Sequence, residues 1–224
     1  MMLRRRAIYN AGELPIGYKK LKYLESSSKQ AINTGVIGNQ DTAFTITFRQ
    51  INYVNTWRQI FGARKDSSKE GNWIMVGAAN GARGVRGSFG EFGSTTSGIG
   101  PTTAYLGIGA YDFNWHTVSC KKFTFLVDNV KHYTVPNHDN FSTTFPIHIF
   151  AFCDGGVVTQ YIDVCVASLQ LSSGGIITRD FIPALRLKDR KPGMYDSVTD
   201  DFFVNVGDGE FGYELMNGTY IAPI

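Results

Sequence analysis

Tyr53, Trp57 and Arg58 are the residues of this sequence best suited to ligand binding. Saccharide recognition needs an aromatic face on which a sugar ring can stack, beside a planar group that donates hydrogen bonds. A phenol, an indole and a guanidinium supply both, and they lie between two predicted strands, Thr42 to Ile51 and Gln59 to Ala63. The alternative is that Trp57 only covers a sheet edge. We predict a ligand-binding site at these three side chains.

Patterns of known catalytic and metal-binding sites are missing from the sequence. The four histidines lack metal-ligand spacing, and there is no serine nucleophile elbow or phosphate-binding loop. Gly207 to Gly212 formally matches the glycine pattern of dinucleotide-binding loops, but no helical period follows it. Asp66, Asp154 and Asp163 are conceivable calcium ligands, yet they form no compact acidic cluster. We therefore predict no cofactor, no metal site and no enzymatic activity.

Composition and charge argue against two classes of partner. The chain has 224 residues and a formal net charge of +3, too small an excess to indicate nucleic-acid binding. No segment approaches the roughly 18 consecutive apolar residues of a membrane span. An export signal needs an apolar run after its basic start, and Asn10, Glu13 and Pro15 interrupt that stretch. We expect no nucleic acid, no membrane and no export address of the chain's own.

The N-terminal segment combines a dense basic run with apolar anchors: Arg4, Arg5, Arg6, Ile8 and Tyr9. We predict that residues 1–18 are an irregular arm and that residues 19–224 are one domain. Such an arm is suited to ordering on a partner protein, although a solvated tail is the alternative. The predicted partners are copies of this chain, because closed homo-oligomers are common, or a different protein.

The three cysteines, Cys120, Cys153 and Cys165, do not indicate a disulfide framework. Their number is odd, and no paired or metal-ligand spacing occurs. Cys153 and Cys165 could face each other on neighbouring strands, but buried reduced thiols are the favoured interpretation. Free thiols fit folding in a reducing cytosol.

The hydrophobic pattern has the period of β-strands. In Thr42 to Ile51, Phe44, Ile46 and Phe48 share one face, and polar residues share the other. Asp163 to Leu171 changes phase once, which predicts a β-bulge near Ala167. Many short strands joined by turns, with no helical period, predict an all-β protein of two packed antiparallel sheets.

Three features predict where strands end or contribute little to the core. Gly81 to Pro101 is rich in glycine, so we predict a surface loop or an edge strand that adds little core. Pro183 cannot donate a ladder hydrogen bond, and we predict that it ends a strand. The last clear strand of the pattern is Phe202 to Val206.

Several motifs follow one another in the order found in a known domain family. They are Tyr23-Leu24-Glu25-Ser26, Gln30-Ala31-Ile32-Asn33-Thr34-Gly35, Arg179-Asp180-Phe181-Ile182-Pro183-Ala184, Gly193-Met194-Tyr195-Asp196 and Gly207-Asp208-Gly209-Glu210-Phe211. Through them the chain, over roughly residues 20 to 212, resembles the concanavalin A-like, laminin-G-like jelly-roll domains of lectins and glucanases. Such domains are common in phages and gut bacteria.

A further resemblance concerns a hairpin. Trp115-His116 and Val127-Asp128-Asn129 are similar to the Trp-His and Asp-Gly marks of laminin-G-type hairpins. Asn129 replaces the usual glycine, and asparagine also tolerates a positive φ. These residues are expected to determine the fold rather than to form a binding site.

The resemblance implies a concanavalin A-like jelly-roll sandwich and bears on activity. Relatives that cleave β-glucans carry two glutamates and an aspartate alternating on one strand, and no such run exists here. The expected function is therefore a non-catalytic structural or adhesive protein of a phage virion, such as a head decoration, fibre or tail-associated protein. Host or mucosal cell-surface glycans are its candidate ligands.

The expected location follows from this function. The protein would be made in the cytoplasm of the bacterial host and would reside in the virion. One alternative is a carbohydrate-binding module or adhesin at the bacterial cell surface. The third possibility is a glycoside hydrolase that has kept the fold.

Overall fold

The computed structural model describes residues 14–54, 56–65, 72–78, 84–91, 103–135 and 141–224. These residues form strands, turns and loops. The all-β prediction is confirmed for this part of the chain. None of its elements is a helix, so it contains no helix that could cross a membrane.

The strands, in chain order, are β1 (Tyr18–Ser27), β2 (Ile32–Asn39), β3 (Thr42–Gln50), β4 (Arg58–Arg64), β5 (Asn72–Ala78), β6 (Val85–Glu91), β7 (Thr103–Tyr105), β8 (Trp115–Lys121), β9 (Thr124–Val127), β10 (Val130–Thr134), β11 (Ser142–Ile149), β12 (Phe152–Asp154), β13 (Val157–Thr159), β14 (Asp163–Ser173), β15 (Ile176–Arg186), β16 (Lys191–Asp196), β17 (Asp201–Phe203), β18 (Gly212–Leu215) and β19 (Tyr220–Ile221).

The strands belong to two sheets. The larger sheet has the order β10-β9-β8-β3-β14-β1-β15-β16-β17, with β18 beside β1 and β19 beside β18. The smaller sheet has the order β13-β12-β4-β5-β6-β7, and β11 joins β4 to β2. Strand β12 runs parallel to β4, so the prediction of purely antiparallel sheets is wrong at this pair. The chain reverses direction at Phe150, whose φ is 67°, directly after the antiparallel pairing of β11 with β4.

The core lies between the inward faces of the two sheets. Phe44, Ile46 and Phe48 of β3 are buried, as the alternation predicts. The ring of Phe44 meets that of Phe61 from the smaller sheet, with 4.8 Å between ring centroids. The predicted bulge is also present, because the register of β14 with β3 shifts around Ala167. The result is a β-sandwich-like fold.

The glycine-rich stretch differs from its prediction. Strand β6 pairs with both β5 and β7, so it is not an edge strand, and its Val85 and Phe89 are fully buried. A Cβ on Gly87 would lie 2.4 Å from the ring of Phe125, which belongs to the larger sheet. Glycine here makes room for a ring from the opposite sheet, and so this segment contributes to the core. The flanking residues 81–83 and 92–101 lie outside the described ranges.

Two further strand predictions are wrong. Pro183 does not end a strand, because β15 continues to Arg186. Its missing donor falls where β15 changes from pairing with β14, up to Phe181, to pairing with β1, from Ala184. The last strand is β19 and not Phe202 to Val206, because β18 and β19 follow and add to the larger sheet beside β1.

The second motif of the family resemblance, Gln30 to Gly35, contacts the last, Gly207 to Phe211. The side-chain oxygen of Asn205 accepts hydrogen bonds from the backbone N–H of Ala31, at 2.9 Å, and of Gly207, at 2.8 Å. The Asn205 amide group donates to the carbonyl of Gly209 at 2.9 Å. Gln30 donates to the carbonyl of Glu210 at 3.2 Å. We call this contact the Asn205 clamp.

Replacing Gly87 with alanine should destabilise the protein by about 1–3 kcal/mol, because the new methyl group overlaps the buried ring of Phe125. The measurement is the free energy of unfolding in urea. Gly109→Ala is the matched control, since a Cβ there meets nothing within 4 Å. The control should change stability by no more than about 1 kcal/mol. Equal effects of the two substitutions would contradict the assigned packing of β6.

Candidate functional site

Exposed aromatic side chains lie at one end of the fold. They occur in the connection from β3 to β4 and in the segment from β7 into the start of β8, and they are Tyr53, Tyr111, Phe113 and Trp115. We call these four side chains the aromatic rim. Large rings exposed together are a feature of binding surfaces rather than of a solvated coat.

Tyr53 and Tyr111 form the centre of the aromatic rim. Their rings are stacked, with 4.7 Å between centroids and an interplanar angle of 6°. Tyr111 remains 67% exposed and Tyr53 40% exposed. Since Tyr53 occupies one face of the Tyr111 ring, the other face is open to solvent. A flat, open, pre-positioned ring is what stacking on a sugar requires.

A buried glutamine holds the segment that carries Tyr111. The side-chain amide of Gln50, at the end of β3, donates to the carbonyls of Gly109 and Asp112, at 3.2 Å each. On the other side, the backbone N–H of Val85 in β6 donates to the carbonyl of Ile108 at 2.9 Å. The segment is thus tied to both sheets, so the rings of the aromatic rim project from a fixed frame.

Arg49 extends the aromatic rim onto the outer face of the larger sheet. Its guanidinium carbon lies 5.5 Å from the ring centroid of Tyr23 and 5.2 Å from that of Trp115, within the range of cation–π contacts. The Arg49 Nε is buried and has no hydrogen-bond partner among the described residues. Burial and a hydrogen bond with Glu214 raise the pKa of Tyr23, so its phenol stays neutral.

Trp57 and Arg58 lie apart from the Tyr53–Tyr111 stack. Trp57 is half-buried, and the guanidinium carbon of Arg86 lies 3.2 Å from its ring centroid. Burial lowers the pKa of Arg86 to about 10. Arg58 is exposed at the start of β4. The planar cation on Trp57 is therefore Arg86 rather than Arg58.

The sequence-predicted trio is thus divided between two places. Among the described side chains no ring contact joins Tyr53 to Trp57. The role of Tyr53, Trp57 and Arg58 in binding stays a prediction. Sequence reasoning missed Tyr111, although Tyr111-Asp112-Phe113-Asn114-Trp115 alternates aromatic and polar residues, a pattern that indicates an exposed aromatic face. The proposed docking residues, Arg4, Arg5, Arg6, Ile8 and Tyr9, lie outside the described ranges.

His116 connects the aromatic rim to the β9–β10 turn. Its Nδ1 lies 2.8 Å from Asp128 Oδ2, and its Nε2 lies 3.1 Å from Asp112 Oδ2. Asp128 Oδ1 also accepts the backbone N–H of Thr117 at 2.8 Å. Asp128 and Asn129 both have positive φ, as a two-residue hairpin turn requires. The turn at Asp128 and Asn129 is therefore structural, as predicted, whereas Trp115 of the same motif is exposed in the aromatic rim.

The pKa values around His116 shift in opposite directions. Partial burial opposes protonation of His116, but the hydrogen bond with Asp128 and the contact with Asp112 outweigh it, so the histidine pKa is raised. A backbone hydrogen bond from Asn114 holds the pKa of Asp112 below its usual range. Burial works against ionisation of Asp128, but the hydrogen bonds from Thr117 and His116 lower its pKa.

The candidate calcium ligands have other partners or lie outside the described chain. Asp154 pairs with Arg64, with 2.6 Å between Oδ1 and Nε. Asp163 accepts a hydrogen bond from Asn52 at 3.0 Å, and Asp66 is not among the described residues. Within the described ranges no three metal-ligating side chains converge.

All three cysteines are free and buried, which confirms the favoured interpretation. Burial raises the pKa of the Cys165 thiol to about 12, because the thiolate would lose its hydration. Such a thiol stays protonated at neutral pH, so it is neither a good nucleophile nor a metal ligand.

No model of a known protein family matches the chain, and no curated protein matches it. The resemblance to concanavalin A-like domains therefore stays a prediction from the sequence motifs.

We expect His116→Gln to reduce the free energy of unfolding mainly below neutral pH. Because the pKa of His116 is raised in the folded state, its contribution to stability is fully present below about pH 6.5. That contribution is lost as the pH rises through the folded pKa. Because the pKa values of Asp112 and Asp128 are lowered, their contribution to stability is present above about pH 4. That contribution is lost as the pH falls through the folded pKa values. The effect should therefore be largest between about pH 4 and 6.5. Because the site is partly exposed, it should not exceed about 1 kcal/mol.

Urea unfolding of both proteins at about pH 5.5 and about pH 9 measures this difference. His148, whose pKa is lowered by burial, is present in both proteins and cancels in the comparison. A difference of the same size at both pH values would contradict the electrostatic role of His116.

Proposed function

We propose that this chain is a non-catalytic structural or adhesive protein of a phage virion, with a concanavalin A-like jelly-roll sandwich that binds host-surface glycans at its aromatic rim. The observation that carries the proposal is the open Tyr53–Tyr111 stack, held on a two-sheet frame by the buried Gln50. Stacking on an open ring is how proteins recognise the apolar face of a sugar, and neighbouring polar groups then select its hydroxyls.

The chemistry around the stack suits a neutral polyol. Asn52, adjacent to Tyr53, is held by Asp163, and Asn114 is held by Asp112 at 2.9 Å. Both amides are exposed and keep acceptor atoms for sugar hydroxyls. The aromatic rim therefore offers a ring for stacking and amides for hydrogen bonding, without a strong net charge that would restrict the ligand to anions.

The jelly-roll part of the proposal is supported by the positions of the resembling motifs. The second motif, at Gln30-Ala31, and the last motif, at Gly207 to Phe211, are far apart in sequence, yet they are joined by the Asn205 clamp. Such long-range contacts are what a shared fold would require of motifs retained at both ends.

The non-catalytic part is supported by the partners of the carboxylates. Glu214 pairs with Lys22, Asp154 with Arg64, and Asp189 with Arg186. Asp196 is fully buried and accepts the backbone N–H of Asp180 at 2.8 Å. A retaining glycosidase needs two carboxyl groups about 5–5.5 Å apart that face the substrate. These four carboxylates of the described chain are engaged in structural contacts, which is unfavourable for such a pair.

The virion part rests on the family resemblance and on the basic, apolar N-terminal segment. In this arrangement the segment orders on a second copy or on another virion protein, and the sandwich presents its aromatic rim to the host. A bacterial carbohydrate-binding module would use the same rim. Incorporation into particles, rather than glycan binding, therefore distinguishes a virion protein from a bacterial carbohydrate-binding module.

Tyr111→Ala should weaken glycan binding by at least about tenfold, equivalent to about 1.4 kcal/mol, because the open stacking face is lost. Tyr111→Phe should retain most of the affinity, since stacking needs the ring and not the hydroxyl. The measurement is a glycan array followed by titration of the best ligand. Trp57→Ala in the same series tests the sequence-predicted site separately.

Ile176→Ala is the control for this series, because Ile176 is an exposed apolar residue at the start of β15, paired with Ser173 at the end of β14 far from the aromatic rim. It should leave affinity unchanged. Unaltered binding by Tyr111→Ala would remove the aromatic rim as the glycan site.

Deleting residues 1–13 should leave the sandwich folded but abolish incorporation into particles. The deletion ends before the first contacts of the described chain, in which Tyr18 donates to the carbonyl of Pro15 and Leu187 donates to that of Gly17. The measurements are urea unfolding and co-sedimentation with purified particles. Normal incorporation of the truncated chain would contradict the docking role of the N-terminal segment.

A further inference from the structure

The larger sheet carries a cleft on its outer face that differs in chemistry from the aromatic rim. This cleft has a volume of about 480 Å³ and lies at the end of β3 opposite to the aromatic rim. Its polar lining includes Thr45, Ser119, Lys121, Lys122, Gln170 and Ser172. We call this cleft the lysine groove. Its volume lies within the range of small-molecule sites, about 300–1,000 Å³.

The floor of the lysine groove is built by strand register. Thr45 of β3 pairs with Ser119 of β8 on one side and with Gln170 of β14 on the other. These residues alternate with buried core residues, so their side chains share the outward face. Ser119 is in turn paired with Leu126 of β9. A continuous cross-strand row therefore presents two hydroxyls and one amide to the cleft.

Two turns form the walls of the lysine groove. Lys122 and Phe123 connect β8 to β9, and both have positive φ, as in a two-residue hairpin turn. The ring of Phe123 packs inward and contacts Phe89, with 5.2 Å between centroids, which anchors the turn beside Lys122. On the other side, the backbone N–H of Gly174 donates to the carbonyl of Asp41 at 3.2 Å.

Among the polar side chains of the groove, Gln170 donates from its amide to Asp180 at 3.5 Å, which leaves its side-chain oxygen as an acceptor. The hydroxyls of Thr45, Ser119 and Ser172 and the ammonium groups of Lys121 and Lys122 make no hydrogen bond or ion pair within the described chain. Two residues further along β3 the outward hydroxyl is paired, because the hydroxyls of Thr47 and Thr117 lie 3.0 Å apart and share a hydrogen bond. The hydroxyl and ammonium groups that line the lysine groove are thus available to a ligand.

The charge of the groove favours an anion. Lys121 and Lys122 line it, and Lys131 is paired with the lining residue Leu126. Asp41 also lines the groove, and Asp180 is paired with Gln170. Three cations thus stand against two carboxylates, and both lining lysines are exposed enough to reach a ligand.

We propose that the lysine groove binds an acidic saccharide, whose carboxylate is held by Lys121 and Lys122 and whose hydroxyls bond with Thr45, Ser119 and Gln170. This site goes beyond the proposed function, because it shares no residue with the aromatic rim. Lysine ammonium groups act as point charges and suit a single carboxylate, whereas the row of hydroxyls and the amide matches a polyol.

An extended acidic peptide fits the groove less well. Peptides that add to a sheet need an open strand edge, and the floor of the groove is formed by β8, β3 and β14, which are paired on both sides. Inorganic phosphate would use the lysines but would leave the row of hydroxyls and the amide unused. Both ligands serve as comparisons in the experiment.

The experiment titrates the full chain with a galacturonic acid trisaccharide, the matching galactose trisaccharide, inorganic phosphate and a polyglutamate peptide. The acidic trisaccharide should bind at least about tenfold more tightly than each of the other three. The double variant Lys121→Gln, Lys122→Gln should lose at least about tenfold in affinity. Thr45→Val, which keeps shape and charge, should lose about two- to tenfold because one hydrogen bond is removed.

Two control variants locate the effect. Lys19→Gln, Lys20→Gln removes the same charge from exposed positions of β1 and should bind normally. Tyr111→Ala should also bind normally, so that failure of the groove and failure of the aromatic rim are told apart. The inference is overturned if the Lys19, Lys20 variant loses as much affinity as the groove variant, or if phosphate, peptide or neutral sugar binds equally well. Absence of acidic-trisaccharide binding up to about 10 mM also overturns it.

Discussion

The alternation of buried and outward side chains on β3 and β14 is the constraint on which the rest of the fold depends. Phe44, Ile46 and Phe48 point into the core, so Thr45 and Thr47 must point to solvent. A register slip of one residue would exchange the two sets, burying hydroxyls and exposing phenylalanines. The bulge at Ala167 shifts the register once, and β14 pairs with β3 both before and after it. Both proposed binding surfaces are consequences of this arrangement.

The Asn205 clamp joins two segments that are far apart in sequence, at Gln30-Ala31 and at Asn205 to Glu210. A single side chain accepts two backbone hydrogen bonds and donates to backbone carbonyls, which satisfies a turn that has no ladder of its own. The turn brings Phe211 against Phe150, with 4.7 Å between ring centroids. Glycine is required here because a Cβ on Gly207 would lie 2.0 Å from the carbonyl oxygen of Lys29, and one on Gly209 would lie 2.0 Å from that of Ile224.

The aromatic rim and the lysine groove occupy opposite ends of the same sheet and differ in chemistry. The rim offers open rings with neutral amides, and the groove offers ammonium groups with hydroxyls. Ionic strength should therefore affect the groove more strongly than the rim, because screening acts on charges and hardly on stacking. The two proposed sites together would contact two kinds of sugar residue on one glycan or on two.

The sequence by itself determined the features that are local. The period of two identified β3, the phase change located the bulge, and Asp128-Asn129 marked a hairpin turn, because facing and turn geometry depend on neighbouring residues. The odd, unspaced cysteines also indicated free thiols correctly.

Only the tertiary structure decided which distant residues meet. It stacked Tyr53 on Tyr111 and placed Arg86, not Arg58, over Trp57. It also gave the ring of Phe125 the space beside Gly87, which made a glycine-rich segment part of the core. Periodicity tells which face a side chain takes, but not which strand will lie beside it. Partners are set by the register and order of strands far apart in the chain, and those depend on how all the inward faces pack together.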